Sequence, residues 1–113
     1  MNNVITDVKK SYNEYLVKIP HYCQVIADLL RTTQEKESLK LILQFSEGVD
    51  WLIEVNVSLN KNGINSTLEI EKIHEFLSEI NYGLEIRDFI LVADIFEYEI
   101  KPFFESCSLY ENK

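Results

Sequence analysis

The chain has 113 residues, enough for one domain and too few for two cores. A hydrophobic fraction of 46% with 12% aromatics excludes a disordered chain, and only 3 Gly and 2 Pro argue against a turn-rich sandwich or small barrel. A formal net charge of −8 disfavours nucleic-acid and membrane-surface partners, both of which are anionic.

Apolar residues first recur at Ile5, Val8, Tyr12, Leu16, Ile19, Cys23, Ile26 and Leu30, in steps of three and four. That spacing predicts one helical stripe over about residues 4–32. Pro20 interrupts it, removing one hydrogen bond and crowding the preceding turn. The stripe stays in phase across the break, so one helix kinked near Ile19-Pro20 is preferred. The alternative is a short first helix, with Pro20 opening a second.

Thr32-Thr33-Gln34-Glu35 offers a capping box for a second helix from about 34 to 60. Leu39, Ile42, Leu43, Val49 and Ile53 fall on one side of it, and Leu41, Phe45, Leu52, Val55 and Leu59 on another. Such a helix should be central and touch more than one neighbour. Gly48 should permit a close approach. A β-hairpin over 53–70 is the competing reading, because Ile53 to Leu59 alternates and Asn62-Gly63 suits a hairpin turn. Helix is preferred, since Phe45, Val49, Leu52, Val55 and Leu59 keep helical spacing. Ser66-Thr67-Leu68-Glu69 is also a second capping box, opening the stripe Ile70, Ile73, Leu77, Ile80.

The third helix is expected to end at Tyr82, with Gly83 left-handed and Leu84 packing back. Asp88 is the expected N-cap of a fourth helix over about 88–107, bent near its end by Pro102. The fold class read from these elements is all-α: an antiparallel up-and-down four-helix bundle with a kinked first helix. It forms a single domain over residues 1–113.

The charge is uneven. Residues 1–40 hold six Lys/Arg against five Asp/Glu, whereas residues 41–113 hold five against fourteen. Two acidic units stand out, Glu47/Asp50 and Asp94/Glu97. Their i,i+3 spacing puts each pair on one helix face, where facing pairs would suit Mg²⁺. All-helical nucleotide pyrophosphatases use that principle with more acids than this chain offers. Local pairing is the simpler account: Glu97 with Lys101, and Arg87 or Tyr98 with Asp94, which interrupts an apolar run. Glu71-Lys72-Ile73-His74 is one Glu-x-x-His where a di-metal bundle needs two, and His21 lacks a Glu at position 18. Whether Glu47, Asp50, Asp94 and Glu97 converge decides the metal reading.

No Ser-His-Asp or Cys-His arrangement, P-loop or dinucleotide fingerprint is present. Catalytic, cofactor and metal residues are therefore left unassigned. Cys23 and Cys107, with no CxxC spacing, read as small buried hydrophobes, with a disulfide as the alternative. Tyr12, Tyr15 and Tyr22, with Phe103, Phe104 and Tyr110, read either as core or as the wall of a groove for a partner's amphipathic helix. The opening Met1-Asn2-Asn3-Val4-Ile5-Thr6-Asp7 is unlike a secretory signal, and a cytoplasmic protein is expected.

Two stretches, Glu47-Gly48-Val49-Asp50-Trp51-Leu52 and residues 92–103 from Val92 to Phe103, resemble small bacterial helical proteins of unknown function over about residues 12–106. That resemblance implies an all-helical fold and carries no catalytic residues. Size, acidity and the four-helix plan are also similar to flagellar export chaperones, which implies binding of a client's helical segment. The function expected is a non-catalytic protein-binding module: adaptor, chaperone-like or self-associating, with no cofactor. The alternative is a divalent-metal hydrolase using the paired carboxylates.

Overall fold

A computed structural model describes residues 2–32, 34–66 and 68–111. It is an all-α bundle of four helices: α1 (Asn2–Leu30), α2 (Glu35–Lys61), α3 (Ile70–Glu85) and α4 (residues 89–105). No strand occurs among the described residues. No helix among them is long and apolar enough to cross a membrane.

The α1 stripe buries as its spacing requires: Tyr12, Leu16, Ile19, Cys23, Ile26 and Leu30 all lie in the core. Pro20 lies inside one continuous helix, so the two-helix alternative does not hold. The central rod is α1, not α2. It touches α2 on one flank and the full length of α4 on the other. α2 buries the stripe Ile42, Phe45, Val49, Leu52, Asn56 and Leu59, but leaves Leu39, Leu43, Trp51 and Val57 exposed. Its apolar breadth therefore gives an open flank, and its second neighbour is α4, met through Phe45. Edge-to-face rings join the helices, Phe45 meeting Phe96 at 5.1 Å and Phe76 meeting Phe103 at 5.3 Å.

Asn62-Gly63 ends a helix instead of turning a hairpin. The Gly63 N–H donates to the Asn60 carbonyl at 3.1 Å, and the Ile64 N–H to the Leu59 carbonyl at 2.9 Å. With Gly63 at φ +80, this is a Schellman closure. α3 closes the same way one turn later than expected: Arg87 donates to Leu84, and Asp88 to Gly83. Arg87, at φ 56, takes the left-handed position expected at Gly83. Gly83 is helical and lets Val92 approach closely, since an added Cβ would stand 2.6 Å from Val92 Cγ2.

Neither capping box forms. Thr32 Oγ1 donates to the Leu29 carbonyl and accepts from the Gln34 N–H, and no side chain caps α2. Ser66 Oγ accepts from the Leu68 N–H, and α3 likewise starts without a side-chain cap. Thr33 and Thr67, central to both boxes, lie outside the described residues. Asp88 caps α4 as expected, accepting from the Leu91 N–H at 3.0 Å.

α4 is not uniform. It runs as α-helix over Phe89–Asp94, widens to a π-turn over Ile95–Ile100, and resumes over Lys101–Glu105. The Lys101 N–H reaches back five residues to the Phe96 carbonyl. Two causes converge here. Pro102 brings no N–H and its ring crowds the carbonyl four residues earlier. Among its buried residues, Val92, Phe96, Ile100 and Phe104 step by four, which a 3.6-residue turn cannot keep on one face.

Candidate functional site

Two concavities lie along the α1–α2 seam. One, of about 520 Å³, is bordered by Tyr15, Tyr22, Ile26, Leu41, Phe45 and Gly48. The other, of about 470 Å³, is bordered by Val4, Val8, Trp51, Glu54, Val55 and Leu59. Gly48 makes room between them: a Cβ there would overlap the Tyr15 phenol. Tyr15 packs edge-on against Trp51 at 6.1 Å and tilts toward Tyr22 at 6.2 Å. The three rings thus follow the seam, while Tyr12 turns into the core against Tyr110. Burial, then the neighbouring Tyr22, pushes the Tyr15 phenol above its ordinary range, so it remains a neutral hydroxyl. His21 stands exposed at the mouth of the larger cavity.

The walls differ in charge. Glu47, Asp50 and Glu54 are exposed on α2, and between Lys40 and Lys61 that helix carries no cation. Across the seam, Glu14 and Lys18 of α1 balance. The groove therefore has an apolar floor, with Glu54 at the border of the smaller cavity and Glu47 and Asp50 on the same side of α2 as Glu54 by helical spacing.

The four carboxylates singled out from the sequence do not form one centre. Glu47 and Asp50 project from α2, whereas Asp94 and Glu97 share a face of α4 and meet Arg31, the residue just after α1. Arg31 Nη2 lies 2.9 Å from Asp94 Oδ1, and its Nη1 pairs with Glu97 Oε1. Gln24 Nε2 also donates to Glu97, at 3.2 Å. The Arg31 guanidinium, then Gln24, holds the Glu97 carboxyl below its ordinary range. Among the described residues, no group of three or more His, Cys, Asp or Glu is placed to hold a metal ion.

The local partners expected from spacing are also replaced. Arg87 reaches Glu35 at 3.0 Å instead of Asp94, and Lys101 donates to Gln24 at 3.0 Å instead of pairing with Glu97. Both arginines of the chain thus stand just past a helix end and reach a carboxylate of a different helix, a partnership that in-helix spacing does not reveal. Glu71 and His74 are both exposed on α3. Cys23 is buried and Cys107 half-buried, and both are free thiols. Burial pushes them to about 12 and about 11 respectively.

A model of the domain of unknown function DUF8042 matches residues 7–109. The chain belongs to the DUF8042 family. No curated protein and no solved structure matches it. The DUF8042 match takes in Val8, Tyr15, Tyr22, Gly48 and Trp51, and so nearly the whole groove.

Elsewhere on α1 of this DUF8042 chain, the segment after α4 packs back through Tyr110. Asn13 grips Tyr110 through both backbone groups, Oδ1 accepting from its N–H and Nδ2 donating to its carbonyl, each at 2.9 Å. The buried Asn56 donates to the Tyr110 hydroxyl at 2.9 Å and to Ser66 Oγ. This polar cluster sits where the α2 stripe calls for an apolar side chain, and the sequence signal for it is Asn56 itself, on the buried face between Leu52 and Leu59.

Proposed function

We propose that this DUF8042 protein is a non-catalytic protein-binding module whose α1–α2 groove docks a helix of another protein. The observation that carries this reading is the pair of apolar cavities on one seam, joined by Tyr15 and the partly exposed Trp51. Amphipathic helices bind to such grooves through side chains at helical spacing, and aromatic walls supply area at little entropic cost. The reading takes the helices as an antiparallel up-and-down set with α1 bent at Pro20, acting in the cytoplasm in an adaptor or chaperone-like role. Its likeness to flagellar export chaperones in size, acidity and plan supports that role. The hydrolase alternative loses its footing, because Arg31 already engages Asp94 and Glu97, on a different helix from Glu47 and Asp50.

The test is site-specific photo-crosslinking in the native host, with a benzoylphenylalanine at Gln44 in the groove and, separately, at Ser78 on α3. A discrete heterologous adduct from position 44 and none from 78 is expected. Equal adducts from both positions, no adduct, or an adduct of twice the chain's own mass would each overturn the reading, the last by assigning the groove to a second copy.

A further inference from the structure

The groove specifies more than an apolar occupant. Gln44 borders the larger cavity and Val55 the smaller, eleven positions apart on one face of α2. Eleven residues of helix rise roughly 17 Å and turn just over three times, so a second helix along the seam presents the same spacing on one of its own faces. Tyr15 and Trp51 fill the interval between the cavities, so the occupant is anchored twice and lies flat between. The charge is one-sided over the same interval: Glu47, Asp50 and Glu54 are exposed, and the nearest α2 cations are Lys40 and Lys61.

We infer that the occupant is a basic amphipathic helix of about four turns, with two apolar anchors eleven residues apart and Lys or Arg along the edge facing Glu47, Asp50 and Glu54. This rests on the groove being the docking site. Its cationic edge aligns the helix and excludes acidic competitors, while the anchors supply the affinity. Exposed charge pairs are individually weak, so the preference arises from three acids acting together and fades with salt.

Trp51 is the only tryptophan and stands between the two cavities, so its emission reports occupancy directly. The probes are Trp-free synthetic helices of about 18 residues built from Ala and Leu with Lys, with leucine clusters centred eleven apart. Matched peptides carry Gln or Glu in place of Lys, and one Lys peptide has its clusters nine apart, on opposite faces. The Lys peptide with eleven-residue spacing should shift Trp51 emission and bind at least about fivefold more tightly than the Gln peptide at low salt. The Glu peptide and the nine-spaced peptide should bind least. Replacing Glu47, Asp50 and Glu54 together by Gln, Asn and Gln should remove the Lys preference. The same charge change at the exposed Glu71, Glu85 and Glu105 should leave it intact.

Equal binding of Lys and Gln peptides, both shifting Trp51, overturns the basic occupant and leaves the docking groove standing. Equal loss from both triple variants also overturns it, as attraction to overall charge. No shift of Trp51 with any peptide overturns the groove reading together with this one.

Discussion

The phenol of Tyr15 lies over the α-carbon of Gly48, in the space where any other residue at 48 would place its Cβ. Gly83 and Val92 stand in the same relation, but there the neighbour is a rigid, fully buried side chain. Alanine at the two glycines should therefore have unequal effects. Gly48→Ala gains about 1 kcal/mol of helix propensity and pushes aside only the far end of a half-exposed ring. Its stability should stay within about 1 kcal/mol of wild type, while Trp51 emission changes. Gly83→Ala forces a Cβ against Val92 and should cost about 1–3 kcal/mol by urea unfolding. Equal effects at both sites would contradict this packing.

Asn56 is buried and bonded to both Ser66 and Tyr110, so its removal strands polar atoms in the core. Asn56→Ala should cost about 1–3 kcal/mol, measured as a fall in the urea midpoint. Asn81→Ala, at an exposed site on α3, should cost less than about 0.5 kcal/mol.

Arg87 is the one non-glycine residue with positive φ among those described. Arg87→Gly and Arg87→Ala both lose the contact with Glu35, so their difference isolates the backbone. The glycine variant should be the more stable by roughly 1 kcal/mol, read from thermal unfolding. Equal stability would contradict the left-handed closure of α3.

Glu97 and Glu79 should respond to acid with opposite signs. Arg31 holds the Glu97 carboxyl below its ordinary value of 4.5, so its contribution is complete above that pH and is lost as pH falls through the lower folded value. The stability gap between wild type and Arg31→Met should therefore narrow below about pH 4.5. Glu79 is raised, by burial first and Glu99 second, so ionising it opposes folding. Glu79→Gln should be more stable than wild type at pH 7, with the gain vanishing as pH falls below the ordinary carboxylate value. Urea midpoints across pH 3–7 separate the two.

Much of the fold was legible because it rests on apolar spacing. The run from Ile5 to Leu30 places α1 and its buried face directly, and Phe45, Val49, Leu52 and Leu59 carry α2 through the stretch that alternates like a strand. Helix ends were read less well, because their closures depend on the backbone. Asn62-Gly63 suits a hairpin or a Schellman closure equally, and Gly83 serves the close approach of Val92 instead of a helix end. Of the site, Tyr15, Tyr22 and Gly48 were visible as aromatic and small positions, and Tyr12 stood apart by its place in the α1 stripe, but its partner Tyr110 did not show. Asp94 and Glu97 were placed correctly on one face. What that face meets, Arg31, lies more than sixty residues away in sequence.

The π-turn in α4 has a consequence for how the chain can vary. A uniform α-helix would cover the same span with one residue fewer. A relative lacking one residue between positions 95 and 100 can rewind that stretch as ordinary helix and still deliver Phe96 and Phe104 to the faces of Phe45. Length differences within α4 among DUF8042 sequences should therefore gather in this one turn, and single-residue deletions there should be tolerated where they fail elsewhere in the helix.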